Sequence, residues 1–218
     1  MRLAGIIIVA AWLMLASAVE AGELFAPAID AESYSQSPVE ETARQFGLSE
    51  VRIGPAMSNL ELSLVQVVPG MHFFPDPDSF QKGRLDSVEF EALFGTPWPD
   101  VFKWIGSPRP SVGGLVNLAG YESLVHAGLD WHLPIGSTPF YLEAGVGLGT
   151  HNGYLTNPPP GYHELGCRFL VHYQYGAGMN LTPNVTLTLQ WQHMSNILFG
   201  CGLNQGLNDL GLEVGWKF

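Results

Sequence analysis

Beyond its N-terminal stretch, the 218-residue chain has no apolar run long enough for a membrane-spanning helix, which needs roughly 20 residues. Charge is also scarce, at 13% of residues, and positive charge is scarcer: 9 Lys and Arg stand against 20 Asp and Glu. Without a basic patch there is nothing to grip a phosphate backbone, so nucleic acid is excluded as a partner. Spaced metal-ligand motifs, internal repeats and charged low-complexity runs are absent as well. Yet apolar residues make up 46% of the chain. Few charges, many apolar residues and no spanning helix are at odds in a soluble protein. They agree in a barrel that places its apolar residues at every second position.

The N-terminus reads as an address. Arg2 gives a positive start, Ile6–Leu15 an apolar core, and Ala16-Ser17-Ala18 or Val19-Glu20-Ala21 a small-residue cleavage site. Residues 1–21 are therefore expected to be a cleavable signal peptide, with an uncleaved anchor as the rival reading. Residues 22–48 read as a polar lead-in, with one helical turn near Val39–Arg44, and residues 49–218 as one domain.

Within that domain, runs of period-two alternation are punctuated by Gly and Pro. Phe140, Leu142, Ala144, Val146 and Leu148 share one face, opposite Tyr141, Glu143 and glycines. Val185, Leu187, Leu189 and Trp191 oppose Thr186, Thr188, Gln190 and Gln192. Similar runs cover Ser123–Leu133, Arg168–Leu181 and Leu210–Phe218, and less regular ones Glu50–Ala56, Ser87–Phe94 and Ser111–Leu118. The expectation is all-β, an eight-stranded antiparallel transmembrane β-barrel of the outer membrane, with the apolar face toward lipid. A last strand that finishes on Phe218 in the apolar register fits that class. Leu60–Val68 either extends the first strand or belongs to a long first outer loop. Short turns at Pro134–Pro139 and Thr182–Asn184 fall on the periplasmic side, and the longer His151–Glu164 and Asn196–Gly206 outside. Cys167 and Cys201 then reach the same outer rim, where an exported chain is expected to join them in a disulfide; two unpaired thiols are the alternative. His126, His132 and His172 fall on the lumen face, as packing groups rather than metal ligands. Glu143 and Asp130 are expected there as partners of Arg168.

One strand carries chemistry near its end. In Gln192-His193-Met194-Ser195-Asn196, His193 and Ser195 continue the outward register of Trp191. Residues two apart share a face about 6.6 Å apart, a gap an imidazole can span toward a hydroxyl. Such a pair is the minimum for a serine nucleophile and its general base. Polar groups at lipid depth cost free energy unless paired, although at headgroup level both residues could equally be inert. Asn204, Gly206 and Asn208 return beside them in the outward register, whereas Asp209 points to the lumen. The expected third member is Asn208.

Together, His193-Met194-Ser195-Asn196, Asn204-Gln205-Gly206-Leu207-Asn208 and the Gly-rich strand ending at Phe218 resemble the PagL-type lipid A 3-O-deacylases and their acyloxyacyl hydrolase-like relatives. The similarity extends to Asn117–Tyr121, Ala127–Trp131, Glu143-Ala144-Gly145, His151-Asn152-Gly153 and Leu165-Gly166, about half the chain. The resemblance implies a Gram-negative outer-membrane esterase that removes the 3-O acyl chain from the lipid A of lipopolysaccharide, with no metal or other cofactor. Ser195 would be the nucleophile, His193 the base, Asn204 with Asn196 the groups near the oxyanion, and His151 a contact to substrate headgroups. The best-known members carry a Glu where this chain has Asn208, and their loop is one residue shorter. Rival readings are a catalytically weak or inactive structural or lipid-binding barrel, and a small porin or adhesin. No feature sets an oligomeric state.

Overall fold

The computed structural model describes residues 47–58, 64–68, 71–75, 84–97, 99–196, 198–203 and 205–218, with backbone alone for 64–68, 71–75 and Pro99. Both the expected signal peptide and the helical turn near Val39–Arg44 lie outside the described residues. The described part belongs to the unit Glu40–Phe218.

Each alternating run becomes a strand of one closed antiparallel barrel. Its eight strands are β1 (Leu48–Ser58), β4 (Arg84–Phe94), β5 (Arg109–Asn117), β6 (Leu124–Pro134), β7 (Phe140–His151), β8 (Phe169–Asn180), β9 (Val185–Ser195) and β10 (Leu207–Lys217). Each strand pairs with its neighbour in sequence around the barrel, and β1 closes it against β10, with Val51 opposite Trp216. The remaining strands, β2 (Leu64–Val68) and β3 (Met71–Pro75), form a two-stranded sheet in the connection between β1 and β4. Of the two readings of Leu60–Val68, the structure supports the loop for Leu64–Val68, which pairs with β3 outside the barrel, while residues 60–63 lie outside the described residues.

The two faces separate as the alternation requires. Val125, Leu129, Leu133, Leu142, Val146, Leu148, Leu189 and Val214 lie exposed on the outside, while Glu50, Arg52, Glu91, Asp130, Glu143, His172, Gln174 and Gln192 are buried inside. Arg52 donates from Nε to Glu50 Oε1 at 2.8 Å and from Nη2 to Glu143 Oε1 at 2.8 Å. Arg109 bridges the same two carboxylates at 2.9 and 2.8 Å. The expected Arg168 pairing with Glu143 and Asp130 is overturned. Arg168 precedes β8 and donates to the carbonyls of His151 and Gly153 at 2.6 and 3.2 Å. Glu143 lies opposite Gly176, a position about 26 Å further along the strand, beyond the reach of that side chain. Asp130 is met by Gln174 at 2.7 Å.

Packing fills the interior closely. A Cβ on Gly145 would stand 2.6 Å from Asp130 Oδ1, and one on Gly113 would stand 2.7 Å from His126 Nε2. Near the long loops the polar lumen gives way to a buried apolar cluster of Ala56, Leu115, Leu124, Leu165, Cys167, Leu170, Met194 and Leu207. At the other end the β4–β5 connection is longer than a tight turn. It holds a helical turn α1 (Pro99–Phe102) and a 3-10 turn (Lys103–Ile105), stopped by Gly106 at φ 86. Trp131 donates its indole N–H to the Ile105 carbonyl at 2.6 Å, holding this segment to the wall.

Removing Arg52 would leave Glu50 and Glu143 buried beside a weakened partner set. Breaking a buried ion pair from one side typically costs about 3–5 kcal/mol. Arg52→Met should lower the urea midpoint for unfolding, read from the heat-modifiable gel shift of the barrel, while Lys103→Met in the exposed turn should leave it unchanged.

Candidate active site at the outer wall of strands β8, β9 and β10

His193 and Ser195 stand at the loop end of β9, and β10 returns antiparallel with Asn208 directly opposite His193. That register brings the His193 Nδ1 within 2.6 Å of Asn208 Oδ1. An amide oxygen only accepts, so Nδ1 carries the proton and Nε2 keeps its lone pair. Asp209 follows in the lumen register and acts electrostatically on the interior Glu89.

On the other side, β8 places Tyr173 opposite His193 and Val171 opposite Ser195. The Tyr173 ring centroid lies 4.8 Å from that of His193. Gly206, at φ 69, comes against the imidazole: a Cβ there would sit 2.9 Å from Cε1 and 3.2 Å from the Met194 carbonyl. Ser195 is in the outward register yet only 5% exposed, covered by its neighbours. Tyr173 and Gly206 take part in this arrangement although the motif singles out neither role. The signal for Tyr173 was its place in the outward register of the neighbouring strand.

The remaining expected residues shape the rim. Asn196 donates its amide Nδ2 to the carbonyls of Leu165 and Cys201 at 3.1 and 3.3 Å, tying the β9–β10 loop to the β7–β8 loop. This engagement argues against Asn196 as a side-chain donor to an oxyanion. Gly166, at φ 71, makes the close approach possible, because a Cβ there would lie 2.6 Å from Asn196 Nδ2. Gln205 donates its backbone N–H to the Glu164 carbonyl at 3.1 Å, and its side-chain carbonyl accepts from the Glu164 N–H. Cys167 and Cys201 join the same two loops in a disulfide with Cα atoms 5.4 Å apart. His151 does not reach the site: it is buried in the lumen register and donates from Nε2 to the Cys167 carbonyl at 2.8 Å. Asn204 lies outside the described residues.

Of the interior histidines, His126 and His172 stack with centroids 3.8 Å apart, His172 pairs with Gln192 at 3.0 Å, and His132 with Glu143 at 3.0 Å. Among the described residues, no group of three or more His, Cys, Asp or Glu is placed to hold a metal ion.

A sequence model of the lipid A 3-O-deacylase (PagL) family matches residues 86–217. The chain belongs to that family. The match runs from within β4 to the end of β10 and contains His193, Ser195 and Asn208. No curated protein matches. Similar solved structures include the outer membrane enzyme PagL, at 13% identity, 78% coverage of this chain, 99% of that one and a TM-score of 0.47. Another is the N-terminal β-barrel domain of Pseudomonas aeruginosa OprF, at 11% identity, 79% and 99% coverage, and a TM-score of 0.46. The chain is an outer-membrane β-barrel.

The Asn208 contact makes a specific statement about tautomer. Nitrogen NMR of histidine-labelled protein should show His193 carrying its proton on Nδ1. Asn208→Ala should give a mixture of the two tautomers, whereas a spectrum unchanged by that substitution would remove Asn208 as the orienting group.

Proposed function

We propose that this chain is an esterase that cleaves the 3-O acyl ester of lipid A in the outer leaflet of the outer membrane. The observation that carries the reading is the His193–Asn208 hydrogen bond of 2.6 Å, which leaves Nε2 unprotonated on the outward register two residues from Ser195. In this reading Nε2 takes the Ser195 hydroxyl proton as Oγ bonds to the ester carbonyl carbon. The carbon–oxygen bond to the sugar then breaks, and His193 returns the proton to the departing sugar hydroxyl. Water, activated in turn by His193, releases the fatty acid and restores Ser195. Asn204 is assigned to the developing oxyanion on the family motif, while Asn196 braces the loop that carries it. The site needs no metal or other cofactor for these steps. Its substrate is lipopolysaccharide, reached sideways through the membrane rather than from the barrel interior.

Asn208 orients the histidine tautomer but brings no negative charge to an imidazolium, in the manner of Cys–His–Asn sites. Turnover is therefore expected to be slower than with a carboxylate at this position. Mass spectra of lipid A from cells expressing the wild type should show loss of one ester-linked acyl chain. Ser195→Ala should reduce that product by at least about 10³-fold, the scale set by losing a nucleophile from a serine–histidine site. Equal deacylation by both proteins would remove Ser195 from the mechanism. Identical lipid A with and without the wild type would favour a structural or lipid-binding barrel instead.

A further inference from the structure

In the esterase reading, a positive charge forms on His193 whenever it holds the serine proton, and Asn208 meets that charge with a neutral oxygen. None of the ion pairs among the described residues includes His193. Two aromatic rings lie beside it. The Tyr173 ring centroid is 4.8 Å away with planes tilted by 36°, and the Trp191 centroid is 5.9 Å away with planes 26° apart. The arrangement follows from strand register. Trp191 shares the outward face of β9 with His193, and β8 sets Tyr173 opposite His193 and Tyr175 opposite Trp191. Tyr175 in turn stacks on Trp191 at 5.8 Å and 9°, and Tyr173 meets Trp191 edge-on at 6.0 Å. Both tyrosines come from β8, so the indole is held from that strand beside the imidazole.

A cation within about 6 Å of an aromatic centroid is attracted by the ring quadrupole, most strongly by tryptophan and most when water is excluded. Lipid surrounds this wall, so the attraction is little screened. We propose that Trp191 and Tyr173 stabilise the protonated His193 by cation–π attraction, supplying the electrostatic support that a carboxylate would give in place of Asn208. This rests on Ser195 and His193 being the nucleophile and base. Both aromatics act through His193, so they are positioning residues. The other groups facing His193 do not supply that charge. Asn208 of β10 is neutral, Gly206 has no side chain, His172 is a buried imidazole of the lumen face opposite Met194, and Asp209 points inward.

The test places mono-, di- and trifluorotryptophan at position 191 alone in the full-length barrel, reconstituted in vesicles containing lipid A. Fluorine weakens the π face while nearly preserving ring shape. Deacylation should fall with each fluorine, by roughly two- to threefold per step. Trp191→Leu should lose about tenfold, and Trp191→Tyr should recover part of the loss. A second readout needs no turnover: histidine NMR at a fixed, mildly acidic pH should show a smaller protonated fraction of His193 at each step. A flat series in both readouts overturns the cation–π role while leaving the esterase reading intact. A wild type that does not deacylate overturns the esterase reading. The His193 signal then decides the ring pairing, which stands if the protonated fraction falls and is overturned if it does not.

Discussion

A strand in lipid has no water to satisfy its backbone N–H and C=O groups, and this requirement closes β1 onto β10. Closure leaves no sheet edge within the barrel and ties every strand to the register of its neighbours. Because side chains alternate with period two, that register also decides which face of the wall each residue joins. The apolar belt, the charged interior and the placement of His193 beside Asn208 are all consequences of it.

Inside the wall, the scarcity of positive charge shapes the packing. Arg52 and Arg109 bridge Glu50 and Glu143, so two cations and two carboxylates form one hydrogen-bonded unit. Asp130 is instead met by the Gln174 amide, which also donates to Glu91, itself 3.5 Å from Arg52 Nη1. Toward the long loops the interior turns apolar around Leu170 and Met194, immediately behind the strand ends that carry His193 and Ser195. The outer face at that point is backed by a filled interior.

The candidate site is assembled from a wall and a brace. The wall contributes His193, Ser195, Tyr173, Trp191 and Asn208 from three adjacent strands. The brace is the junction of the β7–β8 and β9–β10 loops, held by the Cys167–Cys201 disulfide, the Asn196 amide and the Gln205–Glu164 contacts. His151 supports that junction from the interior through the Cys167 carbonyl. Residues grouped by motif thus divide by task. Asn208 touches the histidine, while Asn196 and His151 hold the loops.

The sequence by itself determined the barrel, because alternation is a local property that can be read without knowing any long-range contact. The runs around β7, β9 and β10 were legible for that reason, as was the choice of Asn208 over Asp209, which is only a matter of parity. What the tertiary structure decided were the partners. Arg168 was matched in sequence to Glu143, but position along the strand gives that carboxylate to Arg52 and Arg109 instead. His151 reads as a loop residue facing substrate, yet the register of β7 turns it inward. The stacking of Trp191 and Tyr173 on His193 depends on how β8 slides against β9. Parity travels with the chain, whereas contact between strands depends on their relative shift, and only the closed barrel sets that.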